Sequence, residues 1–267
     1  MKRFFEFIVS QPLLFLQYIS WLLVTIPILP MLFFQGKKIR KTAVRLPEAK
    51  NPRGLSCLDQ NYTQQLLFLG ESTFAGVGVE THQEGFPGAF ASALSSITGE
   101  NYCWTVYAKS GYTVDKIRQK LLPQVIEKEI DIIIIGVGGN DAFHLISPHS
   151  WLQDIRLLLS DLRQRFPGSK IFFTQLPPIR DFPAFTPLIR NHIGSLAELL
   201  GKVLEVAVKD CASVWYLNEI ISINEWLTDK SVIESNQDFF ADGIHPSKFG
   251  YQLWAIEMAS FVAGKLK

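Results

Sequence analysis

The chain has 267 residues, of which 48% are hydrophobic and 19% are charged, which suits one sizeable α/β domain with an additional segment. Its formal net charge is +1, but seven of the 26 basic residues and one of the 25 acidic residues lie in the first 45 positions, so the remainder is acidic. An acidic body argues against a nucleic-acid surface, which needs a basic patch. Three widely separated cysteines without a CxxC pair argue against a zinc site and against a full disulfide framework.

The first 41 residues have the character of a membrane anchor. Residues 12–34 are apolar apart from Gln17, Ser20 and Thr25, and about 20 apolar residues in a helix can cross a bilayer. A basic run, Lys37-Lys38-Ile39-Arg40-Lys41, follows directly. A cleaved signal peptide is the alternative, but the apolar run is too long and no small-residue cleavage site follows it. We therefore expect an uncleaved anchor over residues 1–41.

The path of this anchor stays open, because Pro27 and Pro30 each remove a helix hydrogen bond and favour a kink. If the segment crosses the bilayer, the basic run after it outweighs Lys2 and Arg3 and places the main domain in the cytoplasm. If the segment lies in one leaflet, the basic run would bind anionic lipid headgroups. We expect a membrane-anchored protein, with residues 12–34 in contact with lipid and the main domain in the cytoplasm.

Residues 42–62 contain Pro47, Pro52 and Gly54 without clear periodicity, and we expect a linker there. Beyond it, residues 63–267 form the main domain. Continuous apolar runs predict strands buried on both faces, at residues 66–69, 102–107, 130–137, 171–174 and 214–217. Between and after the strands, helical patterns cover residues 113–122, 151–166, 188–208 and 247–266. This alternation predicts an α/β fold with a parallel sheet and a ligand crevice beyond the carboxyl ends of its strands.

The first chemical motif, Gly70-Glu71-Ser72, follows the first strand. Gly70 would let the chain turn sharply, and Ser72 at the start of a following helix could present its hydroxyl and backbone N–H to one substrate carbonyl. An ordinary helix N-cap is the alternative for this serine.

Two further motifs follow the next two strands. In Ser110-Gly111, the glycine would let a backbone N–H approach a ligand closely, and an ordinary strand-to-helix turn is the alternative. In Gly138-Gly139-Asn140-Asp141, the glycines leave room and the Asn140 amide can donate to an oxyanion, while Asp141 could hold the loop or cap the next helix.

The last motif, Asp242-Gly243-Ile244-His245, supplies a base and a carboxylate. In so tight a turn both side chains can point to the same side, so Asp242 can accept from one ring nitrogen of His245 and leave the other for Ser72. We expect the remaining histidines in loops or on the surface, namely His82, His144, His149 and His192.

Together these residues resemble the SGNH hydrolase family, also called the GDSL esterases and lipases. The family's Ser, Gly, Asn and His marks fall on Ser72, Gly111, Asn140 and His245, in the family's order. The resemblance covers residues 65–267 and departs from the pattern at Glu71, where the family usually has Asp. The spacing differs from the Gly-x-Ser-x-Gly elbow of the α/β-hydrolases, since Phe74 stands where that elbow needs a glycine.

The resemblance implies a three-layer α/β/α fold with a five-stranded parallel sheet. It implies Ser72 as nucleophile, His245 as base and Asp242 as its partner. The Ser72 and Gly111 N–H groups would form the oxyanion hole with the Asn140 amide, supported by the neighbouring Gly70, Glu71, Gly139 and Asp141. It implies neither a metal nor an organic cofactor.

The expected activity is therefore that of a membrane-associated serine ester hydrolase that forms an acyl-enzyme on Ser72. The anchor favours a lipid or lysolipid ester, and apolar stretches at 176–179 and 182–185 and at Phe239-Phe240 could line an acyl chain or simply pack a loop. Three alternatives remain: an acyltransferase with the same triad, a carbohydrate or peptidoglycan O-acetylesterase, and a non-catalytic, membrane-tethered binding protein.

Overall fold

The computed structural model describes residues 7–42, 44–56, 63–219 and 239–266, so both ends of the expected anchor-to-linker region, at 1–6 and 57–62, lie outside the described residues. At its centre is a six-stranded sheet with the order β1-β3-β2-β4-β5-β6. The strands are β1 (Arg53–Ser56), β2 (Thr63–Gly70), β3 (Asn101–Ala108), β4 (Ile132–Gly136), β5 (Lys170–Phe173) and β6 (Val214–Tyr216). Strands β2 to β6 are parallel, which confirms the five predicted strands and the α/β class.

The register of the sheet positions the site. In the central strand β2, Gly70 pairs with Ala108 of β3 and with Gly136 of β4. The three strands therefore end side by side, and the loops that follow them share one edge of the sheet, as is usual for a ligand crevice in a parallel sheet.

The stretch expected as a linker contains the edge strand β1, which pairs antiparallel with β3. Gly54 allows this pairing, because a Cβ at that position would lie 2.2 Å from the Trp104 ring. The Ala49 N–H also donates to the Ala75 carbonyl at 2.8 Å, so the chain contacts the domain before β1 begins. The four residues of β1 carry no apolar run, and their pairing depends on the open edge of β3.

The helices are α1 (Pro12–Thr42), α2 (Phe86–Thr98), α3 (Val114–Lys116), α4 (Gly139–Phe143), α5 (Pro148–Arg165), α6 (Pro187–Val208) and α7 (Lys248–Leu266). The predictions at 151–166, 188–208 and 247–266 are confirmed. The predicted helix at 113–122 is helical but irregular: after α3 the chain continues as a π-helical turn, Ile117–Leu121, and a 3-10 turn, Leu122–Gln124. Helix α2 was not predicted, although a proline in its first turn and the left-handed Gly99 after its end are typical helix boundaries.

Two groups of helices sandwich the sheet. Helix α7 packs against α2, and helix α5 packs against α6. On the α2 side, Phe68 of β2 contacts Phe74, Phe86 and Phe90, with ring centroids 5.6–6.2 Å apart. On the other side, the Trp151 indole donates to the Leu200 carbonyl at 3.0 Å. These layers enclose the buried isoleucines of β4.

The N-terminal helix α1 runs without interruption through Pro27 and Pro30 and packs along α6. Within the described chain, one segment, Pro12–Ile39, is long and apolar enough to cross a membrane, with a mean hydropathy of 1.8. A signal sequence near an N-terminus can meet the same criterion of apolar length, so this property alone is weak evidence for a membrane span.

Candidate active site

The four motifs meet at the carboxyl edge of the sheet. The Glu71 N–H donates to the Gly136 carbonyl at 3.2 Å, and the Lys109 N–H donates to the Gly70 carbonyl at the same distance. These two bonds join the loop after β2 to the loops after its neighbours β4 and β3. The Asp242-to-His245 loop approaches from the other side, where a Cβ on Gly78 would lie 2.5 Å from the Pro246 carbonyl oxygen.

Ser72 does not begin a helix, contrary to the prediction. It lies in a series of turns in which its carbonyl accepts from the Val77 N–H at 3.2 Å, and the next helix, α2, begins at Phe86. A helix dipole at Ser72 is therefore not available to stabilise an oxyanion. Within the described chain, neither the hydroxyl nor the backbone N–H of half-buried Ser72 has a hydrogen-bond partner.

Gly70 serves a different purpose from the sharp turn that we predicted. A Cβ on Gly70 or on Gly136 would lie 2.7 or 2.6 Å from the side chain of Phe74. The Phe74 ring therefore covers the ends of β2 and β4, and the two glycines make room for it. This packing holds the turn that carries Ser72 against the sheet.

Glu71 is the central acceptor of the site. One carboxylate oxygen accepts from the Gly139 N–H at 2.9 Å, and the other accepts from the Asn140 N–H at 2.9 Å and from the Asn140 side-chain amide at 2.6 Å. Gly139 must lack a side chain, because a Cβ there would lie 2.8 Å from Glu71 Oε1. Burial raises the pKa of Glu71 to about 7, although the three donors and the nearby His245 favour its ionised form.

The Asn140 amide uses both of its protons within the site. Besides the bond to Glu71, Nδ2 donates to the Tyr112 carbonyl at 3.2 Å. This second bond is the longer one, and it comes from the loop that contains Gly111. The side chain of Asn140 therefore links the loops after all three central strands.

Gly111 has a φ of +80°, the left-handed region that favours glycine, and a Cβ there would meet nothing within 4 Å. The backbone conformation rather than lack of space thus explains the glycine. Its N–H, like that of Ser72, donates to no group in the described part of the chain. Backbone N–H groups that lack a partner are the usual donors of an oxyanion hole, so these two groups are candidates for that role.

Asp141 holds the loops together and does not cap its own helix. Its carboxylate oxygens accept from the Val114 N–H at 3.2 and 3.3 Å, across to the start of α3. The side chain is fully buried, and burial together with the charge of Glu71 raises its pKa well above the usual range. Asp141 thereby connects the Gly111 loop to the Asn140 loop, as one of the two predicted alternatives.

Asp242 and His245 form the expected pair. His245 Nδ1 lies 2.8 Å from Asp242 Oδ2, while Asp242 Oδ1 accepts from the backbone N–H groups of Ile244 and His245 at 2.9 and 2.8 Å. Burial would raise the pKa of Asp242, but the hydrogen bonds and charge of His245 outweigh it and lower the pKa. A carboxylate at Nδ1 favours the tautomer with a proton there, which leaves Nε2 free to accept a proton. No hydrogen bond joins the Ser72 hydroxyl to this ring in the described chain.

Two of the other histidines are buried: His82 lies in a turn, which agrees with the predicted loop position, whereas His192 lies within helix α6, contrary to the prediction. His82 contacts the Lys50 carbonyl through Nδ1 at 2.9 Å, and His192 contacts α1. His144 is exposed, as expected. Among the described residues, no group of three or more His, Cys, Asp or Glu side chains could hold a metal ion.

An apolar pocket lies beside the loop that contains Ser72. Its lining includes Thr73, next to Ser72, together with Pro177, Phe182, Phe240 and Ile244. Phe182 contacts Phe240 with ring centroids 5.5 Å apart. The pocket is therefore lined by residues from all three apolar stretches that the sequence showed, at 176–179, at 182–185 and at Phe239-Phe240.

Comparison with known proteins identifies a family. The profile of the GDSL-like Lipase/Acylhydrolase family matches residues 68–253, well over half of the chain, and the chain belongs to this family. A GDSL esterase/lipase of Arabidopsis thaliana is 24% identical over 187 residues, covering 64% of this chain and 77% of that protein.

Solved structures show the same fold. A lipase/acylhydrolase from Enterococcus faecalis has a TM-score of 0.53 at 18% identity, covering 76% of this chain and 96% of its own. An acetyl xylan esterase has a TM-score of 0.56 at 15% identity, covering 74% of this chain and 99% of its own. These likenesses extend over the sheet and its helices.

Proposed function

We propose that this protein is a membrane-associated serine ester hydrolase that forms an acyl-enzyme on Ser72. The observation that carries the proposal is the pair of backbone N–H groups, at Ser72 and Gly111, that have no partner among the described residues. They lie at an edge that also holds Asn140 and the Asp242–His245 pair. Family membership supports ester hydrolysis as the class of reaction.

The first step is removal of the Ser72 proton by His245 Nε2 as the hydroxyl oxygen attacks the ester carbonyl. Asp242 stabilises the imidazolium that forms, because its lowered pKa keeps it ionised and its Oδ2 already lies 2.8 Å from Nδ1. The imidazolium then returns its proton to the departing alcohol, and the acyl group remains on Ser72. Water, deprotonated by the same ring, releases the acid.

The oxyanion of each tetrahedral intermediate would receive the N–H groups of Ser72 and Gly111 and one amide proton of Asn140. That amide proton is the one now bonded to the Tyr112 carbonyl, since this bond, at 3.2 Å, is longer than the bond to Glu71 at 2.6 Å. Glu71 keeps the amide oriented while the other N–H changes its hydrogen-bond acceptor from the Tyr112 carbonyl to the substrate oxyanion. Losing one such donor typically lowers the rate about 10²–10³-fold.

A lipid or lysolipid ester is the proposed substrate class. The pocket beside Thr73 is lined mainly by prolines and aromatic rings, which suit an acyl chain better than a sugar. The apolar helix α1 would bring the enzyme to such esters.

The test is hydrolysis of p-nitrophenyl esters from acetate to palmitate by the full chain, compared with its Ser72→Ala variant. We expect the variant to lose activity by several orders of magnitude with an unchanged melting temperature. An unimpaired Ser72→Ala enzyme would refute the nucleophile. A preference for acetate over longer chains would overturn the lipid assignment in favour of an O-acetylesterase. Ester products with added alcohols, formed in place of the acid, would identify an acyltransferase.

A further inference from the structure

One side of α1 is fitted to the domain. The residues that face it recur at the 3–4-residue spacing of a helix-packing stripe, and Trp21, Thr25 and Leu32 among them are buried. The partly buried members that pack on the core are Leu14, Tyr18, Ile28 and Ile39. This stripe follows α6 antiparallel, so α1 is part of the globular structure.

Specific polar contacts hold α1 in place. The Trp21 indole donates to the His192 carbonyl at 2.9 Å and stacks on the His192 ring at 4.8 Å. The Thr25 hydroxyl donates to the Trp21 carbonyl at 2.7 Å and lies 2.6 Å from His192 Nε2. Because the single hydroxyl proton goes to the carbonyl, the histidine nitrogen is the donor in the second bond. Burial lowers the pKa of His192, which favours the neutral ring that this bond requires.

Contacts at both ends extend the docking along α6. The Lys202 ammonium donates to the Gln17 side chain at 3.4 Å, and the Thr186 hydroxyl donates to the Gln35 side chain. Gln17 and Gln35 are about 27 Å apart along a helix of 1.5 Å rise. The helix is therefore docked over almost the thickness of a bilayer's hydrocarbon core, which is about 30 Å.

A docked α1 cannot also cross a bilayer. Crossing would carry α6 into the hydrocarbon with it, including the exposed charged side chains of Glu198, Lys202 and Glu205. Charged groups are strongly disfavoured there. The contacts with α6 thus leave an orientation in which α1 lies along the membrane surface.

The opposite side of α1 is apolar and open to solvent. The side chains of Leu16, Leu23 and Ile26 are 58–68% exposed. Further exposed apolar residues of α1 are Leu13, Val24, Leu29, Met31, Phe33 and Phe34. An apolar surface of this extent marks an interaction site. Exposed Lys37, Lys38 and Lys41 follow it on the same helix, and this charge matches anionic lipid headgroups.

We propose that α1 is an in-plane membrane-binding helix, which stays docked on α6 while its outward side enters one leaflet of an anionic bilayer. The proposal rests on the membrane association included in the proposed function and assigns its geometry. An in-plane helix differs from a spanning anchor in that it holds the whole catalytic domain against the lipid surface.

This geometry also brings the catalytic pocket to the lipid. Thr186, which bonds Gln35 of α1, follows Phe185, whose ring lies 5.7 Å from that of Phe182 in the pocket lining. Two residues before Thr186, the Ala184 N–H donates to the Gly243 carbonyl of the catalytic turn at 3.2 Å. An ester leaving the leaflet near the basic end of α1 would therefore meet the pocket directly.

The first experiment measures binding of the full chain to vesicles of phosphatidylcholine and phosphatidylglycerol by flotation. The triple variant Leu16→Gln, Leu23→Gln, Ile26→Gln should bind about a thousand-fold less, since each outward side chain contributes roughly ten-fold to partitioning. The matched control, Ile97→Gln, Ile126→Gln, Ile256→Gln, changes exposed isoleucines elsewhere and should bind normally. Unchanged vesicle binding of the α1 variant would overturn the proposal.

The second experiment separates an in-plane helix from a spanning one. Gln35→Cys and Thr186→Cys, in a chain whose natural cysteines are replaced by serine, are joined by a short bis-maleimide so that α1 cannot leave α6. The joined protein should bind vesicles as well as the unjoined one, whereas loss of binding on joining would show that α1 must undock and span. Hydrolysis of p-nitrophenyl acetate is measured in the same samples, so an inactive enzyme, which contradicts the proposed function, is distinguished from an active enzyme that fails to bind.

Discussion

Replacing Glu71 by Gln tests whether this carboxylate acts by orienting Asn140. The substitution keeps the size of the side chain but leaves one acceptor oxygen where Glu71 has two, which together accept three hydrogen bonds. If the amide oxygen keeps the contacts with Asn140, the new NH₂ group faces the Gly139 N–H and leaves a buried donor without a partner. That costs about 1–3 kcal/mol.

An opposing effect keeps the fold stable. Because burial raises the pKa of Glu71 from its ordinary 4.5 to about 7, the ionised carboxylate destabilises the folded protein by about 3 kcal/mol above pH 7. The neutral Gln removes this cost. The two effects are of similar size, so we expect the free energy of unfolding of Glu71→Gln at pH 8 to stay within about 1–2 kcal/mol of that of the original chain.

Activity should not be spared. In Glu71→Gln, the Asn140 side-chain amide and the Asn140 backbone N–H each lose a charge-assisted bond to the carboxylate. An amide that is held less firmly contributes little to the oxyanion, so kcat on p-nitrophenyl acetate should fall about 10²–10³-fold, as for Asn140→Ala. Glu71→Asp restores the charge on a shorter side chain, so its kcat should lie between that of the original chain and that of Glu71→Gln. In the double variant the two losses should not multiply, because both remove the same interaction. Losses that multiply in the Glu71→Gln/Asn140→Ala variant would refute the idea that Glu71 acts through Asn140.

Three further predictions concern pH, backbone conformation and helix docking. Since the folded-state pKa of Glu71 is raised to about 7, its stabilising contribution is present below about pH 4.5 and lost as the pH rises through 7. In urea titrations, the free energy of unfolding of the original chain should therefore fall by about 3 kcal/mol relative to that of Glu71→Gln between these two pH values. A difference between the two proteins that does not change with pH would contradict this prediction. Gly111→Ala should lower the free energy of unfolding by about 1–2 kcal/mol and should also lower kcat. The control is Gly99→Ala, at a position with a φ of +76° and equally open space, which should cost the same stability and leave kcat unchanged. Equal kcat values for the two variants would argue against the Gly111 N–H as an oxyanion donor. Thr25→Val should weaken the docking of α1 on α6 by about 1–3 kcal/mol, because His192 loses a buried hydrogen-bond partner. We expect faster proteolysis within α1, with unchanged activity on a soluble ester. An unchanged rate of proteolysis would show that the contact with His192 is dispensable.

The parallel strands could be predicted because their signal is local. A strand buried on both faces needs a continuous apolar run, and the isoleucines of β4 supply one. Strand β1 has no such run, since its residues pair only because β3 offers an open edge and Gly54 makes room for Trp104. The irregular helical stretch after Thr113 was predicted as one regular helix for a related reason: the apolar spacing does not reveal the π-helical turn at Ile117–Leu121.

The site divides in the same way. The residue types and their order after the strands indicated Ser72, Gly111, Asn140, Asp242 and His245 as candidates. The pairing of Asp242 with His245 was also within reach, because the two are three residues apart in one turn. The role of Glu71 could not be predicted from the sequence, because its partner Asn140 lies 69 residues away. In a sequence, a buried carboxylate also looks the same as a solvated one.

The sequence by itself determined the fold class, the family and the edge of the sheet at which the candidate site lies, because apolar runs and short motifs are properties of neighbouring residues. Only the tertiary structure decided that Ser72 lies in a turn without a helix dipole, that Glu71 orients Asn140, and that α1 docks on α6. Each of these depends on contacts between distant parts of the chain, such as that between Thr25 and His192, which are 167 residues apart. Such contacts exist only once the layers have packed, since packing decides which buried polar groups find partners.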